Sequence, residues 1–389
     1  MMLGYLLARA GVEVVVLEKH ADFLRDFRGD TVHPSTLQVM HQLGLLPDFL
    51  KLPHDEVAEL SGEIGDDVIH IADFSHLNTA AKFIALMPQW DFLNFLAEKA
   101  RIYPEFRLIL PAEVLDLVRE DERVSGVKVR TPEGDLTVNA DLVVGADGRG
   151  SIVRDRAGLE VEDQGSPMDV LWLRLPRHPE DHGSPLGRFV RGQIFVMIPR
   201  GDYFQCAYVI PKGGADDIRA EGLEAFKRSI AETAPLLKDR MDGLTSWDEV
   251  KLLTVTVDRL KTWQLPGLLC IGDAAHAMSP IGGIGINLAI QDAVATANLL
   301  SGPLRAGKLT LADLQSVQRR REWPTKVTQA AQVFAQNRII APTLKGGSPK
   351  APWILKLLNA FPYLRRFPAQ AVGMGVRFEA VRSPDVHAA

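Results

Sequence analysis

At 389 residues, with 46% hydrophobic and 24% charged side chains, the chain has the composition of a soluble globular enzyme with room for two lobes or one elaborated core. A net charge of −5 offers no overall basic field for phosphates and excludes a general nucleic-acid binder. Cys206 and Cys270 are too few for a zinc site without suitably spaced histidines, and no apolar run reaches the roughly 18 residues of a membrane span, so neither a metal nor a transmembrane segment is expected and a cytoplasmic location is the default.

The segment Met1 to Ala10 reads as a helix with Leu3, Leu6, Leu7 and Ala10 on one apolar face. Gly11 ends it, and the β-branched run Val12 to Leu17 closes on Glu18. This is the second half of a dinucleotide-binding βαβ unit, in which an acid ending the second strand takes the ribose hydroxyls. The first strand and GxGxxG phosphate loop of such a unit do not stand ahead of Met1, and a late start of the sequence is the favoured reading. Gly4 is then the helix glycine that lets helix and strand pack closely.

Arg28, Gly29 and Asp30 fall in a polar loop before a helix from about Ser35 to Leu43, closed by Gly44. A short strand over Phe83 to Met87 leads through Pro88 and Gln89 to a helix over Trp90 to Ala100. Leu108 to Leu110, Val114 to Val118 and Val124 to Arg130 read as a meander, with a hairpin turn at Pro132 to Asp135 and a return strand over Leu136 to Val138. Asp141 to Val144 is a buried strand delivering Gly145-Ala146-Asp147-Gly148.

From Met168 to Leu260 the pattern changes to alternation. Val170 to Leu175, Gln193 to Ile198, Phe204 to Ile210 and Leu252 to Val257 read as strands of an antiparallel sheet, interrupted by a helix around Leu223 to Ile230. Then Leu268 to Ile271 forms a buried strand that carries Asp273 to its carboxyl end. Gly282, Gly283 and Gly285 let the backbone approach a flat or charged object, and the helix that follows points its unpartnered first-turn N–H groups at it. A carboxylate for hydroxyls beside a helix N-terminus suits a sugar-bearing, redox-active cofactor. Helices dominate from there to the end.

Glu18, the Gly145 to Gly148 segment and the Gly272 to Ala293 segment together resemble the class A FAD-dependent monooxygenases, the aromatic hydroxylases that are like para-hydroxybenzoate hydroxylase. The resemblance runs over roughly Met1 to Trp323. It implies an α/β fold: an FAD-binding Rossmann-like domain from 1–165 and 261–330, an inserted mostly antiparallel β-sheet substrate lobe at 166–260 with parts of 60–90 as further candidates for it, and a helical C-terminal region at 331–389. Glu18 is then the ligand of the adenosine ribose and Val114 the backbone contact to adenine. Arg28 stands near the pyrophosphate and ribityl chain, and Gln89 and Asp273 face the ribityl side. The Asp147-Gly148 pair is linked in the family to both FAD and the reducing pyridine nucleotide, while Pro280, Gly282, Gly283, Gly285, Ile286 and Asn287 line the pyrimidine edge of the flavin. Ile284 departs from the pattern, since many relatives carry a polar residue there.

The implied reaction uses FAD, NAD(P)H as reducing co-substrate and O2, and it passes one oxygen atom from a flavin C4a-hydroperoxide to a small aromatic, apolar or quinone-like substrate. The resemblance leaves a monomer and a homodimer both open. Two other readings remain: a flavin-dependent reductase or dehydrogenase on the same fold, and a non-enzymatic binding protein lacking a phosphate loop. No side chain is assigned as catalytic. His276 reads as a backbone-positioning residue, and Tyr203, Tyr208 and Arg191 either orient substrate or serve packing and surface. Arg319, Arg320 and Arg321 read as a solvated helix face, and the apolar tail from Trp353 to Phe367 as a packing segment rather than a membrane-surface helix.

Overall fold

The computed structural model describes residues 1–24, 31–181, 187–347 and 351–388. Helix α1 (Met2–Arg9) lies on strand β1 (Val14–Leu17), and a Cβ added at Gly4 would stand 2.7 Å from Val16 Cγ2, so only glycine allows that approach. Helix α2 (Pro34–Gln42) has proline in its first turn, where the missing N–H costs nothing. Strands β2 (Glu59–Ile64) and β3 (Asp67–Asp73) form a hairpin that the sequence reading does not draw. Helix α3 (Gln89–Ala100) leads to β4 (Phe106–Ile109), which pairs parallel with β1 in the register Val14↔Phe106 to Leu17↔Ile109. That pairing corrects the expected meander. Leu108 belongs to the parallel pair, and the meander is β5 (Glu113–Glu120), β6 (Arg123–Thr131) and β7 (Gly134–Asn139).

Strand β8 (Val143–Gly145) is followed by helix α4 (Ile152–Ala157). The next lobe is built on β9 (Met168–Pro176), β10 (Gly187–Val190), β11 (Gln193–Arg200) and β12 (Tyr203–Pro211), then helix α5 (Leu223–Thr233) and β13 (Lys251–Leu253). With the β2–β3 hairpin they make one seven-stranded sheet in the order β13-β9-β12-β11-β10-β2-β3. Strand β13 is shorter than the alternation over Leu252 to Val257 predicts. The buried Asp169 carboxylate takes the Val255 N–H at 2.9 Å, together with Gly213 N–H and Lys212 Nζ, and so draws the chain out of the ladder.

Strand β14 (Leu268–Cys270) returns beside β8, parallel, in the register Val143↔Leu268 to Gly145↔Cys270. Adjacent parallel strands therefore carry Asp147 and Asp273 just beyond their carboxyl ends, the position where open α/β sheets bind ligands. Helices α6 (Gly285–Arg305) and α7 (Leu311–Ala335) pack on each other, and α7 opens with a Thr310/Asp313 capping box. Two tail helices, α8 (Trp353–Ala360) and α9 (Arg366–Gly373), cover β3, and the last residues return to α1, where Arg9 pairs with Asp385 at 3.1 Å. Among the described residues no helix is long and apolar enough to cross a membrane.

Both faces of the large sheet are apolar. Leu171, Leu173, Cys206 and Tyr208 point one way, into a core with Phe226 and Ile230 of α5. Met168, Val170, Trp172, Gln205, Ala207 and Val209 point the other way, toward the glycine loop. Between that face and the loop lies the principal cavity.

Candidate active site

The cavity holds about 660 Å³. One wall is the loop that follows β14. It presents Asp273, Pro280, Gly282 and Gly283, and then the start of α6 at Gly285 and Ile286. Gln89 at the first turn of α3 and Gly148 after β8 face the same space. These eight of the residues singled out from sequence thus meet around one cavity.

The others stand elsewhere. Glu18 and Val114 flank one connection away from the lining, where the Ala112 N–H donates to the Glu18 carbonyl at 2.7 Å. The Asp147 carboxylate accepts from Ser151 Oγ and, at 3.2 Å, from Val153 N, so its oxygens secure the start of α4. Arg28 lies outside the described residues. Asn287 is buried and faces away from the cavity: its Oδ1 accepts from His33 N and Thr36 Oγ1, both at 2.8 Å, and its Nδ2 donates to the carbonyls of Thr31 at 3.0 Å and Gly283 at 3.2 Å. Both donors and both acceptor sites of that amide are used to tie the glycine loop to the 31–36 segment.

The loop conformation needs its glycines. Gly283 sits at φ +62°, and a Cβ there would come within 2.2 Å of Thr31 Oγ1, which donates to the Gly283 carbonyl at 2.8 Å. The tight contact presses the loop flat against Thr31. Behind it, α6 begins at Ile284 with no side-chain cap, so its first-turn N–H groups have no oxygen from the cap residue and open toward the cavity. A helix N-terminus left uncapped in this way favours negative charge in front of it. Asp273, about a third exposed, is held toward the cavity by Arg149, whose Nη2 stands 3.5 Å from Oδ2 and whose Nη1 reaches the Thr254 carbonyl at 3.3 Å. Arg149 also lines the cavity, and sequence reasoning passed over it inside the Gly-Arg-Gly run.

Two glutamines on α7 and a third, Gln336, in the helical turn that continues it hold the outer half of the same loop. Gln329 Nε2 donates to the carbonyls of Asp258 and Ala277 at 2.7 and 3.1 Å. Gln332 Nε2 donates to Ser279 and Ile281 carbonyls at 3.0 Å each while its Oε1 accepts from Ser279 N at 3.2 Å, and Gln336 Nε2 reaches Ser279 Oγ at 3.0 Å. Their spacing puts them on one helix face, and an unbroken polar stripe of amides on an otherwise core-facing helix is the sequence signal for this clasp.

His276 is buried, with Nε2 2.6 Å from Asp292 Oδ2 and its ring against Trp263. Asp292 also accepts from Gly272 N at 3.1 Å and from Arg321 Nε at 2.8 Å, and Arg321 continues to Glu379 of the tail. Burial alone would raise the Asp292 pKa, but His276 and Arg321 beside it hold the carboxyl below its ordinary range. The arginine run is therefore not a solvated face throughout. Arg319 is exposed, but Arg321 is fully buried because the tail supplies Glu379 and α6 supplies Asp292. Tyr208 turns away from the cavity and bonds Ser229 Oγ at 2.7 Å, Tyr203 lies under Arg174, and Arg191 donates to the Gly346 carbonyl at 3.0 Å.

Residues 1–331 match the family model described as an FAD binding domain. The chain is 32% identical over 370 residues to 6-methylpretetramide 4-monooxygenase of Streptomyces rimosus, covering 93% of this chain and 87% of that protein. Its fold corresponds to that of p-nitrophenol 4-monooxygenase from Pseudomonas putida DLL-E4, with a TM-score of 0.75 at 20% identity over 97% of this chain and 95% of that one. It corresponds equally to the anhydrotetracycline hydroxylase of Streptomyces rimosus, with a TM-score of 0.75 at 24% identity over 97% of this chain and 74% of that one. With the family model spanning the cavity-forming loops and a relative aligned along nearly the whole length, the chain belongs to the FAD-dependent monooxygenases of the class A aromatic hydroxylase type.

Proposed function

We propose that this monooxygenase takes its electrons from NAD(P)H and inserts one atom of O2 into a small aromatic substrate held between the glycine loop and the seven-stranded sheet. The observation that carries the reading is the uncapped N-terminus of α6, which opens onto the same cavity as the Asp273 carboxylate and the apolar sheet face. That donor and acceptor set fits FAD: hydroxyls for Asp273, and a polar ring edge that gains negative charge on reduction for the N–H groups at Gly285 and Ile286. When bound, the flavin supplies the redox chemistry and the activation of O2.

In this reading Glu18 takes the adenosine ribose, the Val114 backbone meets adenine, and Arg28 stands near the pyrophosphate. Gln89 and Asp273 orient the ribityl chain, with Arg149 steadying the Asp273 carboxylate. Pro280, Gly282 and Gly283 hold the ring plane, Asn287 fixes the loop from behind, and Asp147 and Gly148 shape the approach of the nicotinamide cofactor. The apolar lining on the sheet side excludes water from the reacting atoms. The named substrates of the Streptomyces rimosus and Pseudomonas relatives support an aromatic acceptor.

The test is direct. Purified protein is expected to carry or take up FAD with a flavin absorbance spectrum, and to oxidise NAD(P)H faster when an aromatic substrate is present. Product formed under labelled O2 should contain one labelled oxygen atom. Substrate reduction without label would assign the site to a flavin-dependent reductase, and a protein with no flavin affinity would leave only a binding role.

A further inference from the structure

The sheet face of the cavity is a lattice of three cross-strand rows. Val170, Val209 and Ile194 form the first row and pack with Ile281 of the glycine loop. Trp172, Ala207 and Val196 form the second, where the small Ala207 leaves a trough beside a flat indole. Arg174, Gln205 and Ile198 form the third, the row farthest from Ile281. The four residue steps from Gln205 to Val209 extend over about 13 Å, more than a single aromatic ring spans.

Gln205 is out of place in this surface. It is 4% exposed, it lines the cavity, and among the described residues its side-chain amide has no hydrogen-bond partner. A buried amide without a protein partner is costly, and a cavity-facing one takes its hydrogen bonds from whatever occupies the cavity, water or ligand. The charged residues that line the cavity are Arg149 and Asp273, which pair with each other at the loop. On the sheet side Arg174 stands directly across the strand pair from Gln205, and the buried Arg200 lies one row further along the same face.

We infer that Gln205 is the specificity-determining group for substrate. It holds a neutral hydroxyl or carbonyl at the end remote from the glycine loop, so that a fused-ring aromatic lies along Ala207 against Trp172 with its other end at the loop. This deepens the proposed function and rests on it for the reaction, but not for the binding. The amide donates and accepts, so it takes either a phenol or a ketone.

The experiment titrates the purified protein by calorimetry, which needs no flavin signal, with dihydroxynaphthalene and naphthalene. Dihydroxynaphthalene is expected to bind at least about tenfold more tightly than naphthalene. Gln205→Leu is expected to abolish the preference over naphthalene by weakening only the hydroxylated probe. An Ala207→Leu variant, which fills the trough, should weaken both neutral probes together. Equal weakening of both neutral probes by Gln205→Leu would give Gln205 a structural role and overturn the inference. Flavin content and NAD(P)H oxidation measured on the same preparation report on the proposed reaction separately, so either can fail without the other.

Discussion

Arg321 and Asp292 meet in the interior: the guanidinium Nε donates to Oδ1 at 2.8 Å, and both side chains are shut off from solvent. Around them His276 and Glu379 complete a polar network that joins the Gly272 turn, α6, α7 and the tail. Removing one member of a buried pair strands the other. Arg321→Met is therefore expected to destabilise the protein by about 3–5 kcal/mol, measured by urea unfolding. Arg319→Gln, on the exposed side of the same run, should stay within about 0.5 kcal/mol. Similar losses from both substitutions would show that the buried network carries no special weight.

Gly283 sets a second expectation. Alanine there must accept a positive φ and also push Thr31 aside. Gly283→Ala should cost about 1–3 kcal/mol and lower flavin content per chain. Adding Thr31→Ala relieves the contact but not the φ strain, so the double variant should recover only part of the loss. Full recovery would mean that the backbone conformation is not constraining.

These two sites differ in how far the sequence exposes them. Gly283 and Asp273 are legible because a glycine run after a buried strand has few other uses, and a carboxylate at a strand's carboxyl end has a recognisable place. Arg321 is not legible, because three consecutive arginines look like surface and the residue that neutralises one of them, Glu379, lies far along the chain. The β2–β3 hairpin hides for a related reason: Glu59, Ser61, Glu63 and Asp67 dilute the apolar alternation of strands at the sheet edge. Alternation does reveal β9, β11 and β12. It cannot say which face of them meets the cavity, since helix α5 makes the opposite face equally apolar. Asn287 is marked by its position at the helix start, yet only the coordinates show its amide spent on His33, Thr31, Thr36 and Gly283.

The glutamine clasp supplies a prediction that separates loop order from loop sequence. Gln332→Leu keeps the helix and its volume but leaves the Ser279 and Ile281 carbonyls without their donor and the Ser279 N–H without its acceptor. The expected loss is on the order of 3 kcal/mol, with flavin affinity falling about tenfold or more. Hydrogen exchange should speed up at Ser279 to Gly283 and not in α5. Unchanged exchange in that loop would sink the assignment of Gln332 as its anchor.

His33 gives the protein a pH dependence of defined sign. Its ring is fully buried, and Nδ1 stands 2.8 Å from the Val372 carbonyl, which can only accept, so Nδ1 carries the proton of a neutral imidazole. Burial lowers its pKa from 6.5 to about 4 against the weaker pull of that carbonyl and of the Gly282 carbonyl. The unfolded chain therefore binds a proton before the folded one does, and stability is fully present above about pH 6.5 and drains away as pH falls through about 4. A shift of that size corresponds to about 3 kcal/mol across the window. Asp292, whose pKa is also depressed, loses its contribution only at more acid pH, below the ordinary carboxylate range. His33→Asn keeps an N–H at the Nδ1 position for Val372 and cannot titrate, so subtracting its stability curve from that of the native protein cancels the other groups. The difference should fall by about 3 kcal/mol between pH 7 and pH 4 and then level off, while a flat difference would mean that the folded protein protonates this imidazole as readily as the unfolded chain does.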